Sequence, residues 1–259
     1  METNRPADAQ EPATVAAEHV DDAVRRERDA RDRQLSVVMH EFRTPISSIK
    51  LNLELLERSA HQQGSLDAAR VAEFLAIPKR QLSRLSRMVD RLLDVAQVES
   101  DRLVLTRERL DLCDVVEETA ERLGAEAAKA GSDMQLVLDR PVVGCWDRLR
   151  LEQVTTNLLA NAVKYGGPGR VTATVRMRED GLAELSVNDE GGGIAEADHQ
   201  RIFEPFERAV DGSKQDGAGL GLYIVREIVA AHGGSVRLVS HPGDGATFSV
   251  NLPVAMEEC

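Results

Sequence analysis

The sequence predicts an α+β protein: a two-helix hairpin that dimerises into a four-helix bundle, followed by an α/β sandwich domain. Three observations support this fold class. Up to about residue 100, apolar residues follow a heptad spacing that one hairpin cannot bury by itself. Beyond about residue 107, helical patterns alternate with runs typical of half-buried strands. The length of 259 residues allows one large or two modest domains with a buried core.

The first 34 residues differ in composition from the rest of the chain. Residues 1–20 are rich in Ala, Pro, Glu and Asp without any period, which predicts a disordered tail. Residues 21–34 are mostly charged, and several acids stand four residues before a base, which favours an exposed helix. This charged helical linker is either a solvated helix that leads into the next domain or a segment with a signalling role.

Two helices are predicted between residues 35 and 100. Apolar residues at alternating steps of four and three form one stripe from Leu35 to Leu56 and a second from Val71 to Ala96, with a polar break between them. One such hairpin cannot cover its own stripe, whereas two copies packed as a four-helix bundle can. The spacing therefore predicts that residues 35–100 form a homodimer.

The second predicted domain, residues 107–255, mixes helices with strands. The predicted architecture is a layer of helices over one face of a largely antiparallel sheet. Helices are predicted at 112–129 and 147–165, and a glycine loop that opens a third helix is predicted at 217–232. Strands are predicted at 171–178, 182–189, 235–240 and 246–252.

Charge and cysteine content exclude several classes of protein. A net charge of −12 argues against a nucleic-acid partner, because a surface that binds phosphates carries excess Lys and Arg. No apolar run reaches the roughly 18–20 residues of a membrane-spanning helix, and the N-terminus lacks the pattern of a signal peptide. Cys113, Cys145 and Cys259 predict three reduced thiols rather than a disulfide or a metal site. We expect a cytoplasmic location.

Asp189 is the first candidate for a binding residue. The alternation in the predicted strand 182–189 places its side chain on the inward, apolar face. A carboxylate there is costly without a partner, and the glycines that follow would let a ligand approach the backbone closely. Asp189 is therefore either an acid that ends a strand in a turn or the acceptor for an amino group such as that of adenine.

Asn157, Asn161 and Lys164 form a second stripe beside the apolar face of the predicted helix 147–165. Two amides and an ammonium group would suit a magnesium–phosphate cluster, with an Asn oxygen on the hard cation. The alternative is a solvated helix face, although such faces usually carry Glu, Lys and Arg.

Gly217, Gly219 and Gly221 lead into the predicted helix that runs to His232. Free N–H groups at a helix start attract phosphate, but flexible loops also collect glycine, so the triplet alone is weak evidence. The polar segment 201–216 between the two glycine clusters has the composition of a mobile lid.

In this order and spacing, five segments resemble the sequence boxes of two-component histidine kinases, and the resemblance covers roughly residues 30 to 253. Five ordered motifs are highly specific, whereas any one alone would be weak. Met39 and Phe42 depart from the residues common in the family without removing a chemical role. The segments are Met39–Pro45 for the H box, Asn157–Tyr165 for the N box, Asp189–Ile194 for the first glycine box, Phe203–Arg208 for the F box and Gly217–Leu222 for the second glycine box.

The resemblance implies a GHKL-type transmitter core that binds ATP and Mg²⁺ and phosphorylates its own His40. The phosphoryl group would then pass to an aspartate in the receiver domain of a response regulator. Glu41 would be the base that draws off the proton of His40, and Thr44 would orient water in a reverse phosphatase reaction. Asn161 would hold magnesium and Asp189 would read adenine. The other residues implied around the nucleotide are Asn157, Lys164, Tyr165, Gly191, Gly193, Ile194, Phe203, Arg208, Gly217, Gly219, Leu220, Gly221 and Leu222.

Two other functions stay open. One is an ATPase of the wider superfamily that includes Hsp90, MutL and gyrase, whose members as a family carry a Glu base where this chain has Asn157. The other is a dimeric scaffold whose nucleotide only gates assembly, and the presence of His40 and Glu41 together with the nucleotide motifs argues against it. A phosphate on the protein that is labile in acid would separate the kinase from the scaffold.

Overall fold

The computed structural model describes residues 39, 42–62, 67–99, 103–207, 219–254 and 259. The predicted tail (residues 1–20) and charged linker (residues 21–34) lie outside the described residues. By its internal contacts the chain divides into two compact units, one that ends at Leu85 and one that begins at Ser86. The domain limits 35–100 and 107–255 stay predictions.

Two helices form the predicted hairpin region: α1 (residues 42–62) and α2 (Ala68–Glu99). Asp67 caps α2, since its Oδ1 accepts the Arg70 N–H at 2.7 Å. Several apolar side chains of the predicted stripes remain in solvent, among them Ile46 (53% exposed), Leu53 (41%) and Leu82 (61%). A single copy of the hairpin therefore leaves much of its apolar stripe uncovered.

The described residues of the second unit include seven strands. The order in the main, five-stranded sheet is β2-β4-β5-β7-β6; β2 and β4 are parallel and the other neighbours are antiparallel. The first and third strands pair separately as a small antiparallel ribbon. The strands are β1 (Glu108–Asp111), β2 (Asp133–Leu138), β3 (Val143–Trp146), β4 (Arg170–Met177), β5 (Leu182–Asp189), β6 (Ser235–Ser240) and β7 (Ala246–Pro253).

Three helices pack on one face of this sheet: α3 (Leu112–Ala130), α4 (Arg148–Gly166) and α5 (Gly221–Ala231). The middle helix, α4, contacts α3, α5, β4 and β5. Its apolar stripe and the inward residues of β5 are almost fully buried, and together they form the centre of the core. The predicted α+β class, with a helical layer over a mostly antiparallel sheet, is confirmed. The central buried residues are Leu151, Val154, Leu158, Ala162, Ala183, Leu185 and Val187.

The start of α4 is fixed by the buried Asp147. Its Oδ1 accepts the Arg150 N–H at 3.0 Å, a helix N-cap, and its Oδ2 accepts the Thr106 N–H at 2.8 Å. Its own backbone N–H donates to Nε2 of the buried His232 at 3.1 Å, while Nδ1 of that imidazole lies 2.8 Å from the Ile228 carbonyl oxygen. The imidazole is therefore neutral, with the proton on Nδ1, because Nε2 must accept.

The prediction of three reduced thiols is wrong for two of them. Cys145, at the buried end of β3, forms a disulfide with Cys259, and their Cα atoms are 5.7 Å apart. The two residues are 114 positions apart, and the fold brings them together where Trp146 Nε1 donates to the Pro253 carbonyl at 2.9 Å. Cys113 stays a free, buried thiol, and burial raises its pKa to about 11, which disfavours the reactive thiolate.

Candidate functional site

The polar stripe predicted on α4 faces the start of α5. Asn157 is buried, with 9% of its surface exposed, whereas Asn161 and Lys164 are half-buried further along the same helix. A Cβ added to Gly221 would lie 3.0 Å from Asn157 Oδ1, so the first turn of α5 approaches that amide closely. The stripe therefore borders the second glycine segment.

Asp189 is buried at the end of β5, as its phase in the strand predicts, and 6% of its surface is exposed. Its Oδ1 accepts the Gly191 N–H at 2.9 Å, and Ala246, whose backbone N–H also favours the charged carboxylate, pairs with Asp189 in register. Burial raises the pKa of Asp189 above its ordinary value, while the two N–H donors oppose that rise. This carboxylate has acceptor capacity left for a further donor.

The C-terminal end of α4 packs against the loop that follows Asp189. A Cβ added to Gly166 would lie 3.0 Å from the Cβ of Asp189, and one added to Gly191 would lie 2.4 Å from the Tyr165 carbonyl oxygen. The latter distance is shorter than any side chain tolerates, so the loop can take this path only with glycine at 191. One helix thus contacts both glycine segments, near its centre and at its end.

The segment that resembles the F box is tied to the second glycine segment. Phe203 ends a short 3₁₀ turn, and its ring packs edge-on against that of Phe248, with 6.3 Å between the ring centroids. The Phe206 N–H donates to the Gly219 carbonyl at 3.0 Å. Leu220 is almost fully buried beside it. This hydrogen bond joins the segment that resembles the F box to the second glycine segment.

Lys164 and Tyr165 lie at the solvent edge of this region. Lys164 Nζ donates to the Tyr165 hydroxyl at 2.9 Å and lies 4.5 Å from the centre of that ring. The ammonium group is therefore held at the end of α4 while it stays accessible from solvent. It is placed to meet an anionic group that enters between α4 and the glycine segments.

Many of the residues predicted around a nucleotide belong to the second unit, and one predicted site residue belongs to the first. Thr44 is exposed on α1, in the other unit. His40, Glu41, Arg208 and Gly217 lie outside the described residues. The predicted residues that lie in the second unit are Asn157, Asn161, Lys164, Tyr165, Asp189, Gly191, Gly193, Ile194, Phe203, Gly219, Leu220, Gly221 and Leu222.

The donor set suits ATP with one magnesium ion, provided that the phosphates supply most of the metal ligands. Within the described ranges, no cluster of three or more His, Cys, Asp or Glu side chains could hold a metal ion. Asn161 offers a half-buried amide oxygen, a hard donor that a phosphate-bound magnesium ion accepts. α5 begins at Gly221, and the backbone N–H groups at a helix start attract phosphate oxygens.

Sequence reasoning missed one buried polar residue at this site, Ser240. Its hydroxyl accepts the Ile194 N–H at 2.8 Å and donates to the Gly245 carbonyl at 2.6 Å. The available signal is its phase: Ser240 follows the half-buried Val236 and Leu238 at a period of two on β6. A serine in line with apolar residues at a strand end indicates a buried hydroxyl that needs partners.

Comparison with known proteins assigns both units. Residues 30–101 match the family model of the His Kinase A (phospho-acceptor) domain, and residues 146–256 match the model described as histidine kinase-, DNA gyrase B- and HSP90-like ATPase. This chain belongs to the histidine kinases. The two matches place the residues of a transmitter core in the order that the five boxes predict, so the resemblance is confirmed.

Individual histidine kinases align along most of this chain. The virulence sensor protein BvgS of Bordetella bronchiseptica is 36% identical over 241 residues, which are 88% of this kinase and 19% of BvgS. The adaptive-response sensory kinase SasA of Synechococcus is 31% identical over 236 residues, 89% of this chain and 61% of SasA. The chain thus spans between a fifth and three fifths of the length of these curated relatives.

Solved structures show the same fold. The histidine kinase AdeS of Acinetobacter baumannii superposes with a TM-score of 0.64 at 27% identity, covering 83% of this kinase and 98% of that chain. Full-length ShkA, solved in complex with AMPPNP, gives a TM-score of 0.65 at 30% identity, over 87% of this kinase and 46% of ShkA. Within the described residues, none of the helices combines the length and apolarity that a membrane crossing needs.

Proposed function

We propose that this histidine kinase transfers the γ-phosphoryl group of ATP to its own His40. The observation that carries the proposal is the position of α4, which contacts the second glycine segment through Asn157 and the first through its C-terminal end. Along α4 that arrangement places two amides and an ammonium group, and the buried carboxylate of Asp189 packs against the end of the same helix. A nucleotide with a triphosphate needs such a set of groups. The match of residues 30–101 to a phospho-acceptor domain supports the acceptor assignment.

In this proposal each group recognises a different part of ATP. Asp189 accepts a hydrogen bond from the exocyclic amine of adenine, because the carboxylate is acceptor-only and faces inward. Lys164 meets the phosphates, and Asn161 holds the magnesium ion. When bound, magnesium neutralises phosphate charge that would otherwise repel a nucleophile. Asn157 is an amide and cannot take a proton from water, which favours transfer to the histidine over hydrolysis.

The acceptor chemistry requires a neutral imidazole at His40. One ring nitrogen attacks the γ-phosphorus, the bond from that phosphorus to the β–γ bridging oxygen breaks, and ADP leaves. Glu41 accepts the proton from the other ring nitrogen, so the phosphorylated ring is neutral apart from its phosphoryl group. Both residues belong to the segment that resembles the H box.

We also propose a homodimer, a response regulator as partner and a cytoplasmic site of action, where ATP is available. The exposed apolar side chains Ile46, Leu53 and Leu82 support dimerisation, since a second hairpin would remove them from water. A receiver-domain aspartate would accept the phosphoryl group from His40. Thr44 is exposed and stands four residues after His40 in the sequence, and its hydroxyl would orient water in the phosphatase direction.

Incubation with γ-labelled ATP and Mg²⁺ tests the proposal. We expect label on the wild-type protein that survives base and is lost in acid, as a phosphoramidate bond requires. His40→Gln should bind ATP but acquire no label, and Asn161→Ala should lose both metal-dependent ATP binding and label. Release of inorganic phosphate without label on the protein would favour the ATPase, and nucleotide binding with neither product would favour the scaffold.

A further inference from the structure

The nucleotide side of the second unit contains a buried hydroxyl that none of the five boxes includes. Ser240 ends β6 and has 4% of its surface exposed. It pairs in register with Ala246 on β7, which in turn pairs with Asp189 on β5. The three residues lie side by side across the sheet, directly at the edge where the first glycine segment begins.

The Ser240 hydroxyl donates a hydrogen bond to the peptide group between Gly245 and Ala246, beside Asp189. Its Oγ donates to the Gly245 carbonyl at 2.6 Å, and the N–H of that same peptide group belongs to Ala246. Ala246 is the register partner of Asp189 on the neighbouring strand, and its backbone N–H favours the charged form of that carboxyl. Because the peptide group is planar, fixing its carbonyl also fixes the direction of its N–H. A hydrogen bond at the carbonyl also polarises the N–H, which strengthens its electrostatic effect on the neighbouring carboxylate.

The same hydroxyl holds the far end of the first glycine segment. Ser240 Oγ accepts the Ile194 N–H at 2.8 Å, and the Gly243 N–H donates to the Gly192 carbonyl at 2.8 Å. The turn packs tightly against β5 at Gly245, since a Cβ at that position would lie 2.0 Å from the Asp189 carbonyl oxygen. The turn between β6 and β7 and the loop after β5 are therefore joined through one side chain.

We propose that Ser240 is a positioning residue for base recognition: through the peptide group of Gly245 and Ala246 it orients the Asp189 carboxylate toward the amine of adenine. The inference rests on the proposed function, in which Asp189 reads that amine. Ser240 itself touches neither nucleotide nor metal. Ser240 differs from alanine only by its hydroxyl, and that hydroxyl makes both hydrogen bonds.

The test compares two substitutions of matched shape in the full-length chain. Ser240→Thr keeps a hydroxyl and Ser240→Val removes it while keeping the branched side chain. Binding of ADP and of inosine diphosphate is measured by calorimetry with Mg²⁺, because the two nucleotides share the same phosphates and differ in the amine. Ser235→Ala, an exposed serine on the same strand, is the control. Ser240→Ala is measured as well, in case valine prevents folding.

We expect Ser240→Val and Ser240→Ala to weaken ADP binding about 5- to 30-fold, the usual effect of spoiling a buried hydrogen bond. Inosine diphosphate, which lacks the amine, should lose less than about 3-fold. Ser240→Thr and Ser235→Ala should bind ADP as the wild type does. Equal losses for both nucleotides, or unchanged ADP binding without the hydroxyl, would overturn the assignment of Ser240. Failure of the wild-type protein to bind ADP would instead overturn the proposed function.

Discussion

Asp147→Ala removes a buried carboxylate on which the start of α4 depends. The substitution leaves two backbone donors without their acceptor, the N–H of Arg150 in the first turn of α4 and the N–H of Thr106 in the segment before β1. The third hydrogen bond at this corner, from the Asp147 N–H to His232, uses the backbone and survives the change. The perturbation is therefore confined to the carboxylate.

The two lost hydrogen bonds set the expected size of the effect. Loss of an Asp N-cap costs about 0.5–2 kcal/mol. A partly buried N–H that loses a charged acceptor costs about 1–3 kcal/mol. Asp147 is 7% exposed, so water reaches the vacated position poorly. We expect the free energy of unfolding of the second unit to fall by about 2–4 kcal/mol.

Trp146 is the only tryptophan in the sequence and lies next to Asp147 in the core, so its fluorescence reports unfolding of the second unit alone. Urea titrations of the full-length protein give the unfolding free energy for each variant. The matched control is Asp180→Ala, an exposed turn residue that accepts the Leu182 N–H and pairs with Arg178. It should cost clearly less than Asp147→Ala, because water replaces the hydrogen bonds of an exposed carboxylate. An Asp147→Ala loss no larger than that of the control would refute the reasoning.

Three further outcomes follow from other parts of the chain. Burial lowers the pKa of His232, so below about pH 6.5 the unfolded chain binds a proton more readily than the folded chain, and the free energy of unfolding falls as the pH falls. His232→Gln should make this fall shallower in urea titrations at several pH values. The control His241→Gln, at an exposed position, should leave it unchanged. Asp189→Asn should weaken ATP binding by roughly 1–3 kcal/mol in calorimetry, and unchanged affinity would make Asp189 a turn residue only. Leu53→Asp would place a charge in the proposed dimer interface and should yield monomers in sedimentation. The control Lys50→Ala, exposed on the same helix, should stay dimeric. A dimeric Leu53→Asp would contradict the proposed interface.

The sequence predicts best those elements whose periodicity is complete within one segment. The alternation in Leu182–Asp189 predicts both the bounds of β5 and the inward direction of Asp189. The spacing of Leu151, Val154 and Leu158 predicts α4 and the polar stripe beside its apolar face. In both cases one face is buried along the whole element, so the pattern in the sequence carries the information.

Elements stabilised mainly by distant partners escape the same reasoning. β1 and β3 have four residues each, too few to show a period, and they exist because they pair with each other across α3 and β2. The contact between Cys145 and Cys259 spans 114 residues and depends on where β7 ends. Ser240 is one polar residue in an apolar register, and its two partners lie on other loops. A local pattern in the sequence cannot predict a partner that is distant along the chain.

The positions of α4 and α5 relative to each other are fixed by two contacts at opposite ends. His232, after the last turn of α5, accepts from Asp147 at the start of α4, and Gly221, in the first turn of α5, lies against Asn157. The contacts are ten residues apart along α4 and eleven apart along α5. At 1.5 Å per residue these spacings are about 15 and 16 Å, so both contacts close only when the helices run antiparallel in this one register. A slide of α5 by one residue would break the imidazole bond or drive Gly221 away from the amide. The hydrogen bonds at Asp147 therefore set the distance between the second glycine segment and Asn157, although they lie about 15 Å away along α4.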